Sequence, residues 1–184
     1  MDRKDKNGPA NDLGVARHLA ARVIMALRAG LKVQSVSIDF DSPSKAVVCD
    51  WKAERKTHAN DGRLVQRAFA FIYIGTIIDQ KSSDEPSDAV RVQVDDDMLS
   101  AQEVREAAVE WRLVPSIADT NPFLHQGYKL ASRLLREDTD LVETLANQLA
   151  GSRVMKQNAL ETWFASHAKP LSLETLEDSS RFDW

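Results

Sequence analysis

Cysteine is nearly absent: Cys49 is the single thiol in 184 residues. One thiol excludes an intrachain disulfide framework and a zinc cluster built on cysteines. Its place in an alternating apolar pattern reads as a small core residue rather than a nucleophile. The N-terminus lacks an early apolar run of signal-peptide type, and no stretch has the length of a membrane span. We expect a cytoplasmic protein on both grounds. GxGxxG, the P-loop, GxSxG and HExxH are missing, as are internal repeats and low-complexity segments. The net charge of −4 gives no whole-molecule attraction to nucleic acid. What is present is an ordinary globular composition, 43% hydrophobic and 28% charged, in a chain long enough for one domain with a core.

The most apolar stretch is Leu64 to Asp79. Its aromatic and β-branched residues predict a strand. Val65, Phe69, Phe71, Tyr73 and Ile77 fall on one face, and Leu64, Ala68, Ala70, Ile72, Ile74 and Ile78 on the other. A strand apolar on both faces needs cover on both. It is either a buried central strand or a surface that the protein uses.

Around it, Met1 to Asn11 reads as a loose charged tail. Asp12 caps a helix to about Ala29, with Leu13, Ala16, Ala20, Val23, Ile24 and Leu27 at helical spacing and Gly30 as its stop. Arg17, His18, Arg22 and Arg28 add basic charge to that helix. Val33–Phe40, Ala46–Glu54 and Ala89–Asp95 read as further strands. Short connections between four successive strands predict an antiparallel sheet. The remainder reads as helical: a capping box at Ser100–Glu103 opens a helix through Trp111, Asn121-Pro122 opens a second, Asp140 a third and Ser152 a fourth. The fold expected is therefore α+β, one helix, a four-stranded antiparallel sheet and a helical C-terminal half.

Chemistry is sparse. Asp95-Asp96-Asp97 lacks further spaced ligands, so no metal is expected. His58 near Asp61 has no identifiable nucleophile beside it. His125 and His167 lie on helical patterns and read as packing or surface residues. Neither a cofactor nor an enzymatic activity is expected.

Several strings resemble the SecB family of export chaperones and the SecB-like chaperones of toxin–antitoxin systems. They are Leu19-Ala20-Ala21-Arg22, Ser37 to Pro43, the apolar stretch itself, Val90 to Asp95, Pro122 to Tyr128 and Pro170-Leu171-Ser172-Leu173. The similarity is patchy over Asp12 to Leu176. Residues 137–168 stand where that family has a short link, which reads as a helical insertion, and 177–184 as an acidic tail. The resemblance implies a tetramer built as a dimer of dimers, an apolar groove for unfolded clients, and a translocase or a toxin–antitoxin pair as partner. Asp41 matches one acid that export SecB offers its translocase.

The expected function is an ATP-independent holding chaperone that captures extended segments on Trp51, Phe69, Phe71, Tyr73, Ile77 and Trp111. The alternative is an adaptor or inhibitor that binds one folded partner. A third reading, a nucleic-acid module built on the basic leading helix, has the negative net charge against it.

Overall fold

The computed structural model describes residues 9–39, 45–56, 60–81 and 88–178, with side-chain surroundings outside 9–11, 81–95 and 178. Its axis is α1 (Pro9–Arg28). Alanine and aliphatic residues fill this helix on every side, and Ala16, Leu19, Ala20, Ala21, Val23, Ile24, Met25 and Ala26 are all 0% exposed. A helix apolar all round must be enclosed, and α1 is, by α2 (Asp61–Lys81), α4 (Asn121–Ser152) and the sheet. Gly30 ends it as expected, with the Leu31 N–H bonded to the Ala26 carbonyl at 2.9 Å.

The sheet has three antiparallel strands, not four, in the order β2 (Val47–Cys49), β1 (Val33–Ser37), β3 (Val154–Lys156). Val36 stands opposite Val47 on one side and Met155 on the other. All three are buried and form the sheet's contribution to the core. β1 and β2 are the shortened cores of two expected strands. A 3-10 turn, Ala53–Lys56, takes the end of the second.

The central expectation fails at Leu64–Asp79, which is α2, a helix of 21 residues in all. A continuous apolar run satisfies the strand period and the helix period together, and length decides between them, since runs beyond about 10–12 residues favour a helix. Asn60 supplies the start: its side-chain oxygen accepts from the Arg63 N–H at 3.0 Å and its carbonyl from the Leu64 N–H at 3.1 Å. Packing completes the choice, because α1, α3 (Asp88–Glu110) and α4 all lie against α2. Gly127 of α4 permits the closest approach. A Cβ there would sit 2.5 Å from Phe69 Cβ and 2.8 Å from the Gln66 carbonyl.

Ala89–Asp95 is likewise helical, part of α3, so the capping box at Ser100–Glu103 lies inside a helix. β-branched residues carry only a weak preference, which context overrides. The two helices expected from Asn121 and Asp140 are one, α4, kinked at Asp138 (φ −112°, ψ 18°). It ends at Arg153, whose left-handed φ of 62° turns the chain into β3. α5 (Gln157–His167) and the short α6 (Leu173–Asp178) follow. Arg67 holds Glu177 at 2.7 Å and Arg133 donates to the Leu176 carbonyl at 2.9 Å, which pins α6 onto α2 and α4. A helix-dominated bundle with a three-stranded sheet replaces the SecB-like layout.

Candidate functional site

Two charged residues interrupt the apolar surface of α1 at i and i+4, His18 and Arg22. Such residues share one face of a helix. Both are buried, at 0% and 4% exposure. On α2, Asp79 accepts from His18 Nδ1 at 2.7 Å. On α3, Asp97 Oδ1 lies 3.1 Å from Arg22 and its Oδ2 lies 3.4 Å from His18 Nε2, an ion-pair distance without hydrogen-bond alignment. Thr76 donates to Asp97 at 3.0 Å, and the Arg22 guanidinium lies 4.6 Å from the Phe71 ring centroid. The four charged groups join three helices.

Burial by itself lowers the pKa of His18. The hydrogen bond to Asp79 and the nearby Asp97 carboxylate outweigh it, so the pKa is raised above its ordinary value. Burial raises the pKa of Asp96, helped by the charges of Asp97 and Glu103 and opposed by Arg22. The cluster is closed rather than open to substrate: a Cβ on Gly75 would sit 2.5 Å from His18 Nε2.

The basic face expected on α1 is spent inside the chain. Arg17 meets Glu143 at 2.9 Å, and Arg28 meets Asp138 at 2.8 Å beside the α4 kink. Arg28 also donates to the Lys169 carbonyl at 2.7 Å. With His18 and Arg22, every basic residue named on that helix has an acid of its own chain, which leaves the nucleic-acid reading without its surface.

The residues expected to hold clients are divided by the fold. Phe69, Phe71 and Ile77 are buried on α2, at 0%, 3% and 3% exposure. Tyr73 is half-buried and stacks on Phe69 with ring centroids 6.5 Å apart. Trp51, buried at 7% exposure, and the half-buried Trp111 are brought together, 5.7 Å apart and tilted by 59°. Arg55 lies 4.5 Å from the Trp111 ring centroid, and Lys52 lies 5.8 Å from that of Trp51. Arg55 is held in turn by Asp61 at 2.9 Å. Lys52, Arg55, Lys56 and Arg112 are all exposed. Asp41 lies outside the described residues, as does His58.

A small cavity of about 160 Å³ opens beside the α4 kink, lined by Glu137, Asp138, Asp140, Leu141, Thr144, His167 and Lys169. Its one buried acid, Asp138, is already taken by Arg28. His167 stacks on Trp163 at 4.5 Å, and its Nδ1 lies 2.8 Å from the Trp163 carbonyl. Among the described residues no cluster of three or more His, Cys, Asp or Glu side chains is placed to hold a metal. Burial pushes the Cys49 thiol up to about 12, and nearby Arg22 only partly offsets this. That thiol is therefore protonated at neutral pH and inert as a nucleophile. No helix is long and apolar enough to cross a membrane, among the described residues.

The sequence reading missed the His18–Arg22–Asp79–Asp97 cluster. Its signal was the i, i+4 pair of basic residues set among the alanines and aliphatic residues of α1, since such a pair must find buried acids. Comparison with known proteins adds no identity: neither a family model nor a curated protein matches the chain.

Proposed function

We propose that the protein is an adaptor that binds one folded partner, and that the partner presents an acidic surface to the exposed cations Lys52 and Arg55 and the partly exposed Trp111, which the buried Trp51 backs. The observation that carries this reading is the tilted Trp51–Trp111 pair, flanked by Lys52 and Arg55 over the two rings. Tryptophan and arginine dominate the energetics of protein interfaces, because a rigid ring buries much area at little entropic cost. Here the rings are already fixed, so little ordering remains to be lost on binding. The cations Lys52, Arg55, Lys56 and Arg112 make a basic locale on a chain whose net charge is −4. The acids nearest in sequence are Glu54, which is buried at 8% exposure, Asp50, which caps the Ala53 N–H at 3.2 Å, Asp61, which is held by Arg55, and Glu110.

The holding-chaperone reading rested on an apolar strand with an uncovered face. Phe69, Phe71 and Ile77 lie instead in the chain's own core, so a broad groove lined by them has lost its premise, and a compact polar–aromatic surface suits one partner better than many.

The test is the Lys52→Glu/Arg55→Glu variant, which reverses exposed charge and leaves the core intact. The wild-type chain is expected to form a stoichiometric, salt-sensitive complex with one protein, and the variant to lose it with an unchanged circular dichroism spectrum. A complex that survives the charge reversal contradicts the reading. So does nucleotide-independent suppression of client aggregation, equal in wild type and variant.

A further inference from the structure

α3 is held to the bundle by two kinds of chemistry. Toward its C-terminal end, Ala101, Val104, Ala107 and Ala108 form a buried apolar stripe. One turn before that stripe, Asp97 is 1% exposed and meets α1 and α2 only through polar atoms: Arg22 at 3.1 Å, His18 at 3.4 Å and Thr76 at 3.0 Å. Its neighbours Met98 and Leu99 face solvent, at 59% and 71% exposure, and add no apolar anchor there. The charges balance in one protonation state alone. With His18 protonated, two cations face two carboxylates; with His18 neutral, one carboxylate is uncompensated.

We propose that protonated His18 is a latch that fixes the Asp97 segment of α3 onto α1 and α2, and that loss of its proton as pH rises releases this segment while α1 and α4 stay packed. The groups facing the ring from each element are consistent with that assignment. α2 contributes Asp79, Thr76 and the bare Cα of Gly75; α3 contributes Asp97, with Asp96 behind it; α1 contributes Arg22. The imidazole is the side chain of this cluster whose ordinary range lies near neutrality. The raised pKa of His18 sets the direction: the latch is closed below the ordinary histidine value and opens as pH rises through the folded value. A helix segment that loses its docking also loses amide protection, because isolated helices are marginal in water.

Native-state hydrogen exchange, corrected for the intrinsic pH dependence, tests this on the wild-type chain. Amides of Asp97 to Ala101 are expected to lose protection by up to about tenfold per pH unit above the ordinary histidine value, about 6.5, levelling off past the folded one, as one released proton requires. Amides of Leu19 to Ile24 and Leu145 to Leu149 are expected to keep theirs. In Asp79→Asn the loss is expected to begin at lower pH, because the ring has lost a charged acceptor. Protection that is independent of pH, or lost together across the molecule, overturns the proposal. So does an Asp79→Asn profile identical to wild type. If that variant fails to fold, an NMR titration of the wild-type His18 ring decides: a ring titrating at or below the ordinary histidine value overturns it.

Discussion

At the scale of single residues the fold depends on small clearances and on charge pairing in a dry place. Gly75 is the sharpest case. The His18 ring occupies the space a side chain would need, with 2.5 Å between a Cβ there and Nε2. The ring is 0% exposed and hydrogen-bonded to Asp79, so it cannot swing aside. Gly75→Ala is expected to cost about 1–3 kcal/mol, as overpacking does, measured by urea unfolding; a change within error contradicts the clearance. The same denaturant series run against pH reads His18. Its folded pKa is raised, so its stabilisation is complete below the unfolded value, about 6.5, and declines as pH rises through the folded one. Stability that increased over that range would contradict the sign. These residues were hard to read in sequence. His18 and Arg22 were visible as a basic pair, but their acids lie on α2 and α3, and nothing local in a sequence places Asp79 or Asp97 against α1.

At the scale of elements, what was legible followed from local chemistry. Leu13, Ala16, Ala20, Val23, Ile24 and Leu27 announced α1, Gly30 its end, and Asn121-Pro122 the start of α4. β1 and β2 were legible from alternating Val33 to Phe40 and Ala46 to Glu54, although the turn at Ala53 cut the second short. β3 is a strand of three residues between two helices, too short to show a period, and it exists because β1 offers an open edge. Leu64–Asp79 misled because residues apolar on both strand faces are also apolar around a helix. Backbone carbon shifts across that segment are expected to be helical, and strand-like values would contradict the architecture.

The kink of α4 makes a second test at this scale. Asp138 breaks the regular backbone where Arg28 holds its carboxylate by two bonds, at 2.8 and 2.9 Å. Both side chains are buried, at 6% and 8% exposure. Removing one partner strands the other, so Arg28→Ala is expected to cost about 3–5 kcal/mol, and the double variant Arg28→Met/Asp138→Leu to recover most of that. Equal losses in the single and double variants, by thermal or urea unfolding, would show that the pair is not what stabilises the kink.

At the scale of the whole molecule the account turns on what covers the apolar segment. A strand with one face open called for partner subunits and, with the family resemblance, for a tetramer. The helix α2 needs neither, because α1, α3 and α4 of the same chain lie against it. Leu64, Val65, Ala68, Phe69, Ala70 and Ile74 are all 0% exposed in a single copy. The surface left for recognition is then the partly exposed Trp111 with the cations Lys52 and Arg55, backed by the buried Trp51, rather than a broad apolar face. Light scattering at micromolar concentration tests this most directly. The account predicts one chain, a mass near 20.6 kDa; a stable particle of two or four chains would contradict it, since it would mean that an apolar face remains to be covered between subunits.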